Sequence, residues 1–203
     1  MIVTMGLVAG AAVAQTAIQE PEPAPPPMTA PEPLQEPAAA PIIDQSAELD
    51  ALYKALATSG AGEWKPLQQQ IQALWSRSES AAMTLLLSRA SKAMEEQNYE
   101  KALVFLNDLV RLAPDFAEGW NRRATLYFLQ KEYGRSVADI QRTLALEPRH
   151  FGALAGLGII LDRLDQDADA LRVFRRALEI HPHLEGAKEA IERLEPEVEG
   201  REL

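Results

Sequence analysis

Three evenly spaced prolines constrain the fold more than any other feature of this chain. Pro114, Pro148 and Pro182 are separated by 34 residues in each interval. When the windows that begin at residues 83, 117 and 151 are aligned, they share two small positions and one bulky position: Ala90, Ala124 and Gly158; Ala102, Ser136 and Ala170; Leu106, Ile140 and Phe174. A period of this length predicts units of two antiparallel helices that stack because no single unit can bury its own apolar side.

The second window resembles the tetratricopeptide-repeat (TPR) family most closely. The family's signature positions hold Trp120, Ala124, Tyr127, Tyr133, Ser136 and Pro148. The resemblance implies an all-α TPR solenoid with repeats at 83–116, 117–150 and 151–184, and it covers half of the chain. The segments EGWNRRATLYF and TLALEPRHFGALAGLG also resemble a group of exported alphaproteobacterial TPR proteins.

The first 14 residues, MIVTMGLVAGAAVA, are predicted to act as an export signal. They are apolar, too short to span a bilayer, and end in Ala12-Val13-Ala14, a pattern that signal peptidase cleaves. The basic residues that normally precede such a segment are missing, which a start codon assigned too late would explain. We therefore expect a periplasmic chain that begins at Gln15; a loose apolar N-terminus is the alternative interpretation.

Residues 15–46 are predicted to form a disordered, acidic linker. They hold nine prolines and no Lys or Arg, and proline removes the backbone donors that helices and sheets need. A proline-rich docking peptide is the alternative interpretation. Helical periodicity begins at Ala47, so residues 47–82 are predicted to form a degenerate helix pair that covers the N-terminal end of the repeats. Residues 185–203 are predicted to form a capping helix and a tail.

Composition and motifs give no support for catalysis. The net charge of −10 opposes binding to nucleic acid, and the absence of cysteine excludes disulfides and thiolate chemistry. No catalytic motif is present, so we predict neither an enzyme nor a cofactor. The histidines His150, His181 and His183 all lie at turns between repeats; they are interpreted as solvated side chains, with a metal site at His181 and His183 as the alternative.

The family resemblance implies a concave groove, lined by the first helix of each repeat, that binds a peptide or a partner helix. Carried over to this sequence, the groove positions are Leu87, Ser88, Ser91, Asn121, Arg122, Thr125, Phe128, Ala155, Ile159, Asp162 and Arg163. Because arginine pairs well with carboxylates, an acidic ligand or a C-terminal carboxylate is expected. Ala155, Gly156 and Ile159 break the clamp of chaperone-binding TPR domains, so chaperone tails are not expected. The predicted function is an envelope scaffold or adaptor; the alternative is an accessory subunit whose active site lies on another chain.

The sequence departs from the family pattern at two kinds of position. Arg89 and Arg123 replace the leucine that usually faces the interior, and each would need a partner if buried. The candidates in the paired helices, Asp108 and Asp139, lie 19 and 16 residues further on, so the two pairs cannot be equivalent. We expect at most one direct salt bridge, with the other arginine bonded to backbone carbonyls or to a ligand. The turns within the repeats, where the family favours glycine, carry other residues: Gln97, Lys131 and Asp165.

Overall fold

The computed structural model describes residues 45–201; the predicted export signal and almost all of the proline-rich linker lie outside this range. All regular structure in the described residues is helical, which confirms the predicted all-α fold. The nine helices in that range are α1 Gln45–Thr58, α2 Trp64–Trp75, α3 Ala81–Glu95, α4 Tyr99–Leu112, α5 Ala117–Leu129, α6 Tyr133–Leu146, α7 Phe151–Arg163, α8 Asp167–Ile180 and α9 Glu185–Arg201.

The helices α3 to α8 form three antiparallel pairs in the register that the sequence predicts. The second helix of each pair ends two residues before a proline, at Leu112, Leu146 and Ile180. A residue that precedes proline is disfavoured in helical conformation, so the spacing of the prolines fixes where each pair stops. Helix α9 then packs on α8 through the buried residues Ala187 and Leu194.

Each turn within a pair passes through a left-handed residue. The angle φ is 57° at Gln97, 62° at Lys131 and 57° at Asp165. Only glycine adopts this conformation without steric cost, which explains why the family favours glycine here. The short turn leaves the two helices in contact along their small positions, with Ala90 and Ala102 fully buried in the first pair.

Helices α1 and α2 form a helical hairpin that does not cover the N-terminal end of the repeats. The hairpin packs instead along the turn edge, which we define as the side of the array formed by the turns that join successive pairs. Its apolar residues cluster with Phe151, Leu154, Ala177 and Ile180, and no residue of α3 or α4 belongs to that cluster. The predicted position of the hairpin is therefore wrong: the hairpin packs on the turn edge because its apolar residues bury the large apolar side chains there, among them Phe151 and Ile180.

One of the two unusual arginines forms the expected salt bridge. Arg123 donates two hydrogen bonds to Asp139, with Nε to Oδ2 at 2.7 Å and Nη2 to Oδ1 at 2.9 Å. Arg89 is exposed, and among the described residues it has no hydrogen bond or ion pair; Asp108 pairs with Arg111. The prediction of at most one direct salt bridge is confirmed. Among the described residues, however, no backbone carbonyl accepts a hydrogen bond from Arg89.

Candidate functional site

The first helices of the second and third repeats, α5 and α7, enclose an open cavity of about 220 Å³. Five of the predicted groove residues line it together: Asn121, Thr125, Phe128, Ala155 and Ile159. Its floor consists of buried apolar residues, namely Ala124, Ile140, Ala153 and Ile160. Ile159 remains 40% exposed at the rim, so the cavity offers an apolar surface that no described residue covers.

Two glycines on α7 give this cavity its depth. Gly152 and Gly156 are one turn apart and both line it. A Cβ atom at Gly156 would lie 3.8 Å from Cδ1 of Ile140, an ordinary contact distance. Packing therefore does not require glycine at this position. Because Gly156 has no side chain, the space that one would fill is part of the cavity. Close packing does require a glycine two residues further on, at Gly158, where an added Cβ atom would lie 2.6 Å from Phe174 Cε1.

A buried carboxylate organises the polar end of the groove. Glu118 is 4% exposed and accepts hydrogen bonds from Asn121 Nδ2 at 2.9 Å and from Arg122 Nη2 at 2.6 Å. His150 Nε2 lies 3.2 Å from the same carboxylate, and its Nδ1 accepts the backbone N–H of Ala153. Because Nδ1 accepts this N–H, the ring proton lies on Nε2, which donates to Glu118.

These contacts hold Glu118 in its ionised form. Burial, the largest single influence, acts to raise its pKa, but the hydrogen bond from His150, the charge of Arg122 and the hydrogen bond from Asn121 together lower the pKa below its ordinary value. The charge of Arg122 is thereby balanced inside the protein. The predicted polar contacts Asn121 and Arg122 are therefore anchored to Glu118, a residue that the sequence analysis did not select.

The opposite end of the groove carries a cation without an acidic partner. Arg163 donates from Nη1 to the hydroxyl of Tyr133 at 3.0 Å, and its guanidinium lies 4.8 Å from the centre of the Phe128 ring. Among the described residues no carboxylate pairs with it. Its neighbour Asp162 instead accepts a hydrogen bond from Arg193 on α9, which leaves Arg163 as the available charge beside the cavity.

The predicted residues on α3 lie apart from this cavity. Leu87 is 4% exposed and belongs to the apolar core of the first repeat, so a ligand cannot reach it in this structure. Ser88 is exposed and Ser91 is half-buried. Neither lines the cavity between α5 and α7.

The hairpin forms a wall beside the polar end of the groove. A second open cavity, of about 520 Å³, separates Gln72 and Ala73 on α2, and Ser76 directly after it, from three residues of α5: Asn121, Arg122 and Thr125. Gln72, Ala73 and Ser76 were not among the predicted groove positions. They belong to a segment without repeat periodicity, so no family position pointed to them.

The turn histidines are not solvated, contrary to the sequence-based interpretation. His150 is 1% exposed and stacks on Trp75, with ring centres 3.7 Å apart. His181 is fully buried and its Nε2 lies 2.7 Å from Oε1 of Gln68. His183 stacks on Trp64 and donates from Nε2 to the carbonyl oxygen of Ser59. All three histidines hold the hairpin on the turn edge, because tryptophan rings and amide groups of the hairpin cover them.

Comparisons with known proteins point to one family. A TPR repeat-containing protein of Rhizobium etli is 41% identical over 134 residues, which are 66% of this chain and 66% of that protein. The first TPR of Spaghetti (RPAP3), solved with the HSP90 peptide SRMEEVD, matches with a TM-score of 0.55 at 19% identity over 57% of this chain and 92% of that one. The TPR domain of Sgt2 from Aspergillus fumigatus matches with a TM-score of 0.56 at 18% identity, over 61% and 83% of the two chains.

Two further findings concern protein-family models and membrane-spanning helices. No protein-family model matches the chain. Between residues 45 and 201, no helix has both the length and the apolar character that crossing a membrane requires.

Proposed function

This chain belongs to the tetratricopeptide-repeat family, and we propose that it binds a segment of another protein in the groove between α5 and α7. The observation that carries this proposal is the open apolar cavity with Ile159 at its rim. Uncovered apolar surface in a concave site typically marks a binding position. Asn121 and Thr125 at one end supply polar groups that would orient the ligand.

The charges around the cavity favour a ligand with a carboxylate at the Arg163 end. Arg122 already forms a salt bridge with Glu118, whereas Arg163 has no acidic partner among the described residues. Arginine binds carboxylates through paired, charge-assisted hydrogen bonds. The HSP90 peptide in the solved Spaghetti complex is itself acidic. Ala155, Gly156 and Ile159 make the present groove apolar, so the ligand we propose combines an apolar side chain with a neighbouring acidic group.

The cellular role that we propose is a scaffold or adaptor in the bacterial envelope. The support is the signal-like segment that ends at Ala14. Cell fractionation followed by N-terminal sequencing tests this proposal: a mature chain that begins at Gln15 in the periplasm is expected. An intact Met1 in the cytosolic fraction would contradict it.

A matched pair of variants on α7 and the turn after it tests the groove. Ile159→Glu places a charge in the cavity rim, whereas Leu164→Glu places the same charge just after the helix, outside the cavity; the wild-type side chains are 40% and 46% exposed. Affinity purification from membranes with quantitative mass spectrometry should show partners that are lost with Ile159→Glu and kept with Leu164→Glu. Equal recovery with both variants would contradict binding in the groove. Many groove-dependent partners would favour a scaffold, and one stoichiometric partner would favour an accessory subunit.

A further inference from the structure

The N-terminal side of the first repeat is a packing surface that lacks its neighbour among the described residues. Leu85 occupies the position that Gly119 and Ala153 hold one and two repeats later. Both of those residues are buried against the preceding pair: a Cβ atom at Gly119 would lie 3.2 Å from Leu109 Cγ, and Ala153 is 1% exposed. Leu85 is 50% exposed, because the hairpin lies on the turn edge instead.

The two arginines show the same difference between a covered and an uncovered repeat. Arg123 donates from Nη1 to Asn107 Oδ1 at 2.9 Å, and Asn107 lies on α4 of the preceding pair. Arg89, one repeat earlier, has no such neighbour in the part of the chain that the structure describes. Its own second helix also supplies no acid, since Phe105 stands where the second repeat has Asp139.

A cavity of about 360 Å³ opens on this surface. Ala93 and Phe105 line it, and Ala93 stands where the next two repeats have the larger Tyr127 and Leu161. The charged residues around it are three cations and one carboxylate: Arg89, Lys92, Lys101 and Glu96. We call this surface, formed by Leu85, Arg89, Ala93 and Phe105, the end face.

We propose that the end face binds an amphipathic helix of a partner protein, independently of the groove. One bulky apolar side chain of that helix fills the cavity above Ala93, and a carboxylate on the same side of the helix pairs with Arg89. The equivalent surfaces of the second and third repeats are covered by helices of the preceding pairs, so a helix is the element that fits. The excess of cations around the cavity selects an acidic helix.

A peptide copied from the chain itself is the probe. Residues 99–116, YEKALVFLNDLVRLAPDF, contain the helix that covers this surface of the second repeat. A hydrocarbon staple on its outer side keeps the peptide helical, which circular dichroism verifies. Added to the ¹⁵N-labelled full chain, it should shift the amide signals around Leu85, Arg89 and Ala93. The peptide with Asn107→Asp should bind about tenfold more tightly, because a carboxylate then meets Arg89.

Three variants of the chain complete the experiment. Leu85→Asp should abolish binding, Arg89→Ala should remove the tenfold gain of the acidic peptide, and Leu164→Asp should change nothing. Leu85 is half-exposed, so an unchanged melting temperature shows that its variant still folds. A helical peptide that leaves the α3 amides unshifted, or that shifts the groove amides instead, overturns the proposal. Concentration-dependent association in sedimentation that Leu85→Asp abolishes would assign the end face to a second copy and would also overturn it.

Discussion

Gly158 lies at a close approach between the two helices of the third repeat. A Cβ atom there would lie 2.6 Å from Cε1 of Phe174, well inside van der Waals contact. Gly158→Ala should therefore lower the free energy of unfolding by about 1–2 kcal/mol in urea denaturation, because the overpacking cost exceeds what alanine gains in helix propensity.

The repeats themselves supply the control for Gly158. In the first repeat, Ala90 stands at the position of Gly158 and Leu106 at the position of Phe174. There the larger alanine is accommodated by a side chain that is narrower than phenylalanine. Adding Phe174→Leu to Gly158→Ala should recover most of the lost stability. A double variant that is less stable than Gly158→Ala would show that the two positions do not compensate each other.

Arg123 and Arg89 allow the contribution to stability of a largely buried, ion-paired arginine to be compared with that of a solvated one. Arg123 and Asp139 are 16% and 7% exposed in their side chains, and truncating one member leaves the other largely buried without its partner. Arg123→Ala should cost about 3 kcal/mol, seen as a clear drop in melting temperature. Arg89→Ala at the equivalent position should stay within about 0.5 kcal/mol; similar losses for both variants would contradict this account.

At the scale of elements, the turns within the repeats carry a small steric cost. Lys131 has a φ of 62°, where a side chain is disfavoured by about 1–2 kcal/mol. Lys131→Gly should therefore raise the free energy of unfolding by about 0.5–1 kcal/mol, after the larger entropy of glycine in the unfolded chain is subtracted. Lys131→Ala is the control, because it removes the same lysine without relieving the backbone; an equal gain for alanine would refute the explanation.

The docking of the hairpin should depend on pH through His181. Burial, the positive charge that His183 can carry and the charge of Lys188 lower the pKa of His181 to about 4, from an ordinary value of 6.5. Between these two values the unfolded chain binds a proton that the folded chain does not, so the free energy of unfolding falls as the pH decreases from about 6.5 towards 4. Protonation would also end the acceptance of the His183 backbone N–H by Nδ1 of His181.

Urea denaturation at pH 7 and pH 5 checks this sign. The wild type should be less stable at pH 5, and His181→Gln should lose less stability over the same interval. Glu118 reinforces the loss only at lower pH, since its pKa lies below the ordinary carboxyl value of 4.5. An identical pH dependence of both proteins would exclude His181 as the titrating group.

At the scale of the whole molecule, the packing of the repeated elements was predictable and the position of the unrepeated hairpin was not. The proline spacing predicts three helix pairs, and the unequal spacings of the two arginine–aspartate pairs predict at most one direct salt bridge; the structure has the three pairs and the bridge between Arg123 and Asp139. The position of the hairpin depends on Trp75 stacking on His150, a contact between residues far apart in sequence that no periodicity reports. For the same reason, the absence of repeat periodicity, Gln72 and Ser76 were not predicted to lie beside the groove.

The hairpin and α9 pack on some repeats and not on others, so the local stability of the three repeats should differ. The hairpin packs on the second and third repeats, and α9 packs on the third. Among residues 45–201, the first repeat has a packed neighbour only on its α5 side, and no residue of that range covers its end face. Amides in α3 and α4 should therefore exchange with solvent faster than those in α7 and α8, since local opening follows the density of buried contacts.

Hydrogen exchange followed by mass spectrometry measures this difference, and Trp75→Ala provides its test. Removing a tryptophan side chain that is 8% exposed should cost about 3–5 kcal/mol and release the hairpin from His150 and Phe151. Protection should then fall in the hairpin and in α7 and α8, whereas α3 and α4 should keep their exchange rates, because no residue of theirs belongs to the hairpin cluster. A uniform loss of protection across all helices would mean that the array unfolds as one unit and that the hairpin does not stabilise particular repeats.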